Sequence, residues 1–191
     1  MKNQHSVLTA PSSTRQHNKY NGKSDYRSPE PARIILGKTA DGAIVVDRPN
    51  SHLHEEVVPI LADALSLVNT GSSTFIEVEV DFNRIIGKTI CVKTDSNDRI
   101  IYAQRANRKG FSRFVLDRDA EPSSKVIVVM KKANNTGEYL LITAFIGSKP
   151  EVEPWDPHAT SASFVFWQNH ALVLNGEICA FKDTFTEICP W

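Results

Sequence analysis

Histidine side chains are the groups in this sequence best suited to proton transfer, because imidazole titrates near neutral pH and can accept or deliver a proton. His54 lies near the start of a predicted helix, where the positive end of the helix dipole favours a neutral ring that acts as a base. His170 borders an aromatic stripe on a second predicted helix, so we expect its ring to be partly buried. Both are candidate catalytic residues. A capping or surface role for His54 and a structural role for His170 are the open alternatives.

A basic segment between Arg99 and Lys132 is the second feature that could have a chemical role. It contains nine basic and three acidic residues, and the aromatic residues Tyr102 and Phe111 lie among them. Basic groups interleaved with aromatic rings are typical of surfaces that grip a phosphate backbone and stack on bases. The pattern favours polyanion binding only weakly, because outward faces of strands are often rich in lysine and arginine.

The most apolar predicted strand carries a threonine, Thr143, in its centre. Strand alternation assigns its residues to two faces: Leu140, Ile142, Ala144 and Ile146 on one side, and Tyr139, Leu141, Thr143 and Phe145 on the other. If the first set packs on the helices, Thr143 lies on the open face between two aromatic rings. There its hydroxyl could donate a hydrogen bond to a phosphate oxygen. The alternative is that threonine is present for its strand propensity alone.

The first helix is predicted from apolar residues that recur every four positions: Leu53, Val57, Leu61 and Leu65. Ser51 can cap its start. Pro59 conflicts with a helix interior, because proline lacks a backbone N–H and clashes with the preceding turn. The helix therefore either begins near Glu55 or bends at Pro59. The second helix is predicted from Thr160 to about His170.

Strand patterns dominate the rest of the sequence. The predicted strands cover residues 33–36, 43–46, 76–82, 89–93, 99–104, 111–116, 126–131 and 139–146. Asn175 and Gly176 predict a hairpin that joins residues 172–174 to residues 178–181. Connections this short require mostly antiparallel pairing, since parallel strands need long crossovers. The sequence thus predicts an α+β fold with a leading helix on a mostly antiparallel sheet and a second helix near the C-terminus.

Composition predicts the domain organisation and excludes several function classes. Residues 1–32 are polar and almost without periodic apolar residues, which predicts a flexible N-terminal tail before a single α+β domain at 33–191. No signal peptide, membrane span or zinc-type cysteine spacing is readable, so we expect a cytoplasmic protein without membrane contact, metal or other cofactor. Motifs of P-loop nucleotide hydrolases, serine hydrolases, zinc proteases and EF-hands are absent from the sequence.

Three segments resemble the barnase, EndoU, colicin and RelE superfamily of ribonucleases, in its phage-associated and polymorphic-toxin branch. They are residues 105–115 (RANRKGFSRFV), residues 139–147 (YLLITAFIG), and residues 154–156 (PWD) followed by 166–173 (FWQNHALV). The resemblance covers residues from about 50 to 175. It implies a helix on a curved antiparallel sheet, and metal-independent RNA cleavage in which a ribose 2′-hydroxyl attacks the adjacent phosphate.

The resemblance also implies roles for individual residues. His54 would be the general base or acid, and Thr143 would orient the phosphate. His170 or Ser112 would complete the group of catalytic side chains. Arg105, Arg108 and Lys109 would clamp the phosphate. The predicted catalytic residues are therefore His54, Arg105, Lys109, Thr143 and His170, and the predicted substrate-binding residues are Tyr102, Arg108, Ser112, Arg113 and Tyr139.

The expected function is that of a toxin or phage-derived effector that cleaves RNA and has a cognate inhibitor protein, either an immunity protein or an antitoxin. One departure is the charge: the chain has 22 basic and 22 acidic residues, whereas many such nucleases are basic. The alternative is a non-catalytic RNA- or protein-binding module of the same fold. A weaker alternative, nucleotide transfer such as ADP-ribosylation, lacks a nicotinamide-binding motif.

Convergence of side chains in space separates the two main hypotheses. A nuclease needs His54, a basic residue from the 105–109 segment, and Thr143 around one cleft within reach of a single phosphodiester. A binding module needs no such convergence.

Overall fold

A computed structural model describes residues 33–48, 51–105, 108–174 and 185–191. This part of the chain contains twelve strands and two α-helices, which confirms the predicted α+β class. The strands are β1 (Ile35–Lys38), β2 (Ile44–Val46), β3 (His52–Leu53), β4 (Phe75–Asp81), β5 (Gly87–Thr89), β6 (Cys91–Lys93), β7 (Ile100–Gln104), β8 (Phe111–Val115), β9 (Glu121–Ser123), β10 (Lys125–Lys132), β11 (Tyr139–Ile146) and β12 (His170–Val173). The helices are α1 (Leu61–Ser66) and α2 (Ser161–Asn169). The predicted tail at 1–32 and the Asn175-Gly176 hairpin lie outside the described residues.

The leading helical segment changes type just after Pro59. Residues Glu55–Ile60 form a 3₁₀ helix, and α1 continues from Leu61. A short 3₁₀ stretch tolerates the missing N–H of proline better than an α-helix interior does. The predicted Ser51 cap was wrong: the residue that precedes the helix is His54, in extended conformation, and the Ser51 hydroxyl bonds to Asp47 instead.

The first sheet has six strands in the order β1-β2-β11-β10-β4, with β3 also paired to β11. Its pairs are antiparallel except that β2 and β3 run parallel to β11. The apolar sides of the 3₁₀ helix and α1 pack on this sheet, and Val57, Leu61 and Leu65 join Val126 and Val128 in one buried cluster. Burial of these side chains, at roughly 1.5–3 kcal/mol each, holds the helical segment on the sheet.

A β-bulge in β11 changes the predicted faces of that strand. Val129 of β10 pairs with Thr143, but the next residue pairs with Leu141, so Ile142 is left as an extra residue. The extra residue reverses the alternation of side chains along β11. Tyr139 and Leu141, before the bulge, therefore point into the core, as Ala144 and Ile146 do after it. The sequence prediction that Tyr139 and Leu141 share the open face with Thr143 was wrong. Tyr139 is 1% exposed, and its hydroxyl donates to the Ser73 carbonyl.

A second sheet has four strands in the order β6-β12-β8-β7, and β5 and β9 form a separate pair. Helix α2 packs on the second sheet through Trp167, which lies in one cluster with Phe114 and Leu172. The sequence predicted one sheet, whereas the strands divide among three. In the second sheet, β12 arrives from far along the chain, enters between β6 and β8, and runs parallel to β8.

Asp41 fastens the β1–β2 turn to the segment that follows α1. Its carboxylate accepts hydrogen bonds from the hydroxyls of Thr39 and Thr70 and from the backbone N–H groups of Thr70 and Gly71. These bonds, the Thr39 hydroxyl first, lower the pKa of the Asp41 carboxyl well below its ordinary value of 3.8. The contact therefore stabilises the fold fully above pH 3.8 and loses its effect as the pH falls through the lowered native pKa.

We expect Asp41→Asn to lower the free energy of unfolding at pH 7, because the amide cannot accept all of these bonds. The difference from the wild type should shrink at about pH 2.5, since the unfolded-state carboxyl is protonated there. Urea unfolding at both pH values measures the difference, and Asp119→Asn at an exposed position is the matched control. If Asp41→Asn lowers the free energy of unfolding by the same amount at both pH values, this account is contradicted.

Candidate functional site

A cleft of about 430 Å³ lies beside the end of β11 and receives residues from both main sheets. Its size falls in the range of small-molecule binding sites. Much of its lining is apolar, with Ile90, Phe145, Pro150 and Leu172 among the contributors. The ionisable groups in the same lining, besides a cysteine, are His54, Glu56 and Lys88. The cleft can thus receive a flat apolar group next to groups that carry charge or protons.

His54 is held at this cleft by its backbone. Its N–H donates to the Ala144 carbonyl at 3.3 Å, which places the residue beside β11. The imidazole is half exposed, its Nδ1 lies 3.4 Å from a carboxylate oxygen of Glu56, and its ring centre lies 6.2 Å from that of Phe145. The carboxylate can orient the ring through Nδ1, which leaves Nε2 available to take or give a proton.

Lys88 enters the cleft from β5, and close approach of the backbone allows it to do so. A Cβ on Gly87 would lie 2.3 Å from the Ile146 side chain, and one on Gly147 would lie 2.4 Å from the Thr89 hydroxyl. Both glycines therefore let β5 pack directly against the end of β11. Lys88 could not be singled out from the sequence, because only this non-local packing distinguishes it from other exposed lysines.

A second cavity of about 200 Å³ adjoins the cleft and shares Thr89, Cys91 and Ser148 with it. His170 lines this cavity, with its ring stacked on Phe166 at 4.0 Å between centres. Nδ1 of His170 lies 3.0 Å from the Phe166 carbonyl oxygen. Since a carbonyl only accepts, Nδ1 carries the hydrogen and Nε2 is left as the second functional atom.

Arg105 and Ser112 do not line the cleft, and their side chains make structural contacts instead. Arg105 Nε donates to the Ser112 hydroxyl at 3.0 Å, and both side chains bind the carboxylate of Glu153. Trp155 Nε1 donates to the same carboxylate at 3.1 Å and packs where a side chain of Gly110 would be. We call Arg105, Ser112, Glu153 and Trp155 the Glu153 cluster. It fixes the 147–157 segment, which supplies part of the cleft lining, to the second sheet.

Other predicted site residues are scattered. Arg113 donates to the Thr94 hydroxyl and to the carbonyl of His170, and so supports the start of β12. Tyr102 is buried, bonds through its backbone to Thr186, and contacts the Trp191 ring edge-to-face at 5.0 Å. Arg108 and Lys109 are exposed.

Thr143 lies on β11, near His54. Its hydroxyl does not face the cleft lining but donates to the His52 carbonyl at 2.8 Å. Of the groups that the nuclease hypothesis required in one cleft, His54 lines the 430 Å³ cleft, while Thr143, Arg105, Arg108 and Lys109 are not among the described residues that line it. The structure therefore brings His54 and His170 to adjoining cavities and places the predicted clamp residues elsewhere.

Cys91 lines both cavities, yet it lacks the properties of a nucleophile. Burial, and to a smaller degree the negative charge of Glu153, raise the pKa of its thiol to about 12. The side chain therefore stays a neutral thiol near pH 7. Cys91 contributes to the cavities as a small apolar side chain.

Comparison of the chain with protein-family models, curated proteins and solved structures finds no significant match. The ribonuclease resemblance therefore remains a prediction from the quoted residues. Across the described ranges no three His, Cys, Asp or Glu side chains are grouped so that they could hold one metal ion. In the same ranges, no helix has both the length and the apolar character needed to span a membrane.

We expect Glu153→Gln to lower the free energy of unfolding by about 1–3 kcal/mol, because the amide cannot satisfy Arg105, Ser112 and Trp155 together. Denaturant unfolding of the full chain measures the change. Glu151→Gln, an exposed position in the same segment, is the matched control and should change stability by less than about 0.5 kcal/mol. Equal effects of the two substitutions would contradict the structural role of the Glu153 cluster.

Proposed function

We propose that this chain is a metal-independent endoribonuclease that cleaves single-stranded RNA in the His54 cleft. The observation that carries the proposal is the placement of His54, with its Nδ1 3.4 Å from the Glu56 carboxylate, in the same apolar cleft as Lys88. An imidazole and an ammonium group next to a surface that can hold a base are the minimum that phosphodiester transesterification requires.

His54 and Lys88 have different tasks in the proposed reaction. Nε2 of His54 takes the proton of the ribose 2′-hydroxyl, whose oxygen forms a bond to the adjacent phosphorus. The bond from phosphorus to the 5′-oxygen breaks, and that oxygen receives a proton from Lys88 or from water. The products are a 2′,3′-cyclic phosphate and a free 5′-hydroxyl. The ammonium of Lys88 also offsets the negative charge that develops on the phosphorane.

Base binding follows from the apolar lining. Phe145 offers an aromatic ring next to His54, and Ile90 and Leu172 extend the apolar surface. An unpaired base can stack on such a surface, whereas a base inside a duplex cannot reach it. We retain from the sequence resemblance a cytoplasmic toxin or phage-derived effector with a cognate inhibitor protein.

A second candidate function is supported by the positions of the predicted clamp residues. Arg105 and Ser112 belong to the Glu153 cluster, and the net formal charge of the chain is zero. A module that holds single-stranded RNA in the cleft without cutting it would need the apolar lining and Lys88 but no proton transfer.

Cleavage of a single-stranded RNA oligonucleotide in EDTA tests the first proposal. We expect the purified wild-type chain to produce 2′,3′-cyclic phosphate ends. His54→Ala and Lys88→Ala should each slow cleavage by about 100-fold or more, the usual contribution of a proton-transfer group or a charge-stabilising group.

Two substitutions at exposed positions away from the cleft are the matched controls. His158→Ala removes an imidazole and Lys131→Ala removes an ammonium, and each should leave the rate within about twofold of the wild type. Equal rates for His54→Ala and His158→Ala would rule out the nuclease assignment to this cleft. Binding of RNA without any cleavage by the wild type would favour the binding module.

A further inference from the structure

The 200 Å³ cavity next to the His54 cleft has no task in the reaction proposed above. Because it shares Thr89, Cys91 and Ser148 with the cleft, a chain-like ligand can extend from one cavity into the other. Its remaining lining includes Lys93, Lys149 and His170. A basic cavity beside a reaction cleft is a candidate binding site for the next part of the substrate.

Strand pairing places the two most important side chains of this cavity side by side. His170 of β12 is the direct antiparallel partner of Lys93 of β6, and Leu172 is the partner of Cys91. Directly opposed residues point to the same face, with Cβ atoms about 4.5–5.5 Å apart. Since Leu172 and Cys91 line the His54 cleft, one continuous face of this strand pair runs from the cleft into the second cavity.

The ring of His170 is fixed before any ligand binds. It stacks in parallel on Phe166, its Nδ1 is bonded to the Phe166 carbonyl, and Arg113 holds its backbone carbonyl at 2.8 Å. Fixed donors lose little conformational freedom on binding. Nε2 of His170 is therefore the atom that remains for a ligand, and it donates to a phosphate oxygen in the imidazolium form, in which both ring nitrogens carry a hydrogen.

Charge determines which ligand chemistry suits the cavity. Lys93 is exposed, whereas Lys149 forms an ion pair with Glu77. No acidic side chain is among the described residues that line this cavity, in contrast to the His54 cleft with Glu56. A small cavity with ammonium, imidazole and hydroxyl groups, and without a carboxylate, matches a phosphate group better than a base.

We propose that Lys93 and His170 form a phosphate-binding subsite for the nucleotide adjacent to the cleaved bond. The inference rests on the proposed function of the His54 cleft and specifies its substrate as single-stranded RNA that presents at least two consecutive phosphates. It also assigns His170 a substrate-binding role in place of the catalytic role that the sequence suggested.

Binding of uncleavable deoxyribose dinucleotides tests the subsite separately from catalysis. We measure affinity of the full chain for a dinucleotide without a terminal phosphate and for the same dinucleotide with a 3′- or a 5′-terminal phosphate. One of the two terminal phosphates should strengthen binding roughly tenfold, the size expected for charge-assisted hydrogen bonds. This gain should disappear in Lys93→Ala and fall in His170→Gln, which keeps a hydrogen-bonding side chain.

Two comparisons separate the possible failures. Lys131→Ala and His158→Ala should keep the gain from the terminal phosphate, because neither residue lines the second cavity. A gain that depends on Lys93 supports the subsite even if the chain cleaves no RNA, in which case only the nuclease proposal fails. No gain from either terminal phosphate, or an equal gain in Lys93→Ala, overturns the subsite whatever the cleavage result.

Discussion

The carboxylate of Glu153 accepts hydrogen bonds from Arg105, Ser112 and Trp155, and this contact fixes the segment that connects β11 to α2. The indole of Trp167 adds a second attachment, since its N–H is shared between the carbonyls of residues 151 and 152. The same segment contributes Ser148 and Pro150 to the cleft. Both cavities therefore depend on a small polar cluster in which a guanidinium and a carboxylate are largely removed from water. Loss of one partner there leaves the others unsatisfied, which makes the cluster costly to disturb.

This arrangement changes the interpretation of the basic segment. Three of its cations have structural partners: Arg105 supports the Glu153 cluster, Arg113 supports the start of β12, and Arg118 bridges Asp98 and Glu121. Arg108 and Lys109 are exposed but do not line either cavity. The lysines that line the cavities are Lys88 of β5, Lys93 of β6, and Lys149, which is paired with Glu77. A chain with no net charge can still attract a phosphate when a few cations are concentrated in one cleft.

Local patterns predicted much of the fold. β4, β10, β11 and α2 follow from alternation and helical spacing, and their bounds agree within one or two residues with the expected ones. The bulge at Ile142, the entry of β12 between β6 and β8, and the approach of β5 to β11 depend on contacts distant in sequence. These same contacts place Tyr139 in the core and Lys88 in the cleft. His54 could be singled out from sequence because it directly precedes the predicted helix, whereas its place at the cleft and its neighbours there depend on the non-local contact with β11.

Chemical-shift mapping with an uncleavable single-stranded deoxyoligonucleotide tests the central claim, that the cleft between the sheets is the nucleic-acid site. We expect the largest amide shifts at His54, Phe145 and Leu172, with smaller shifts at the exposed residues Arg108 and Lys109. Shifts confined to Arg108 and Lys109, with the cleft residues unchanged, would contradict this claim.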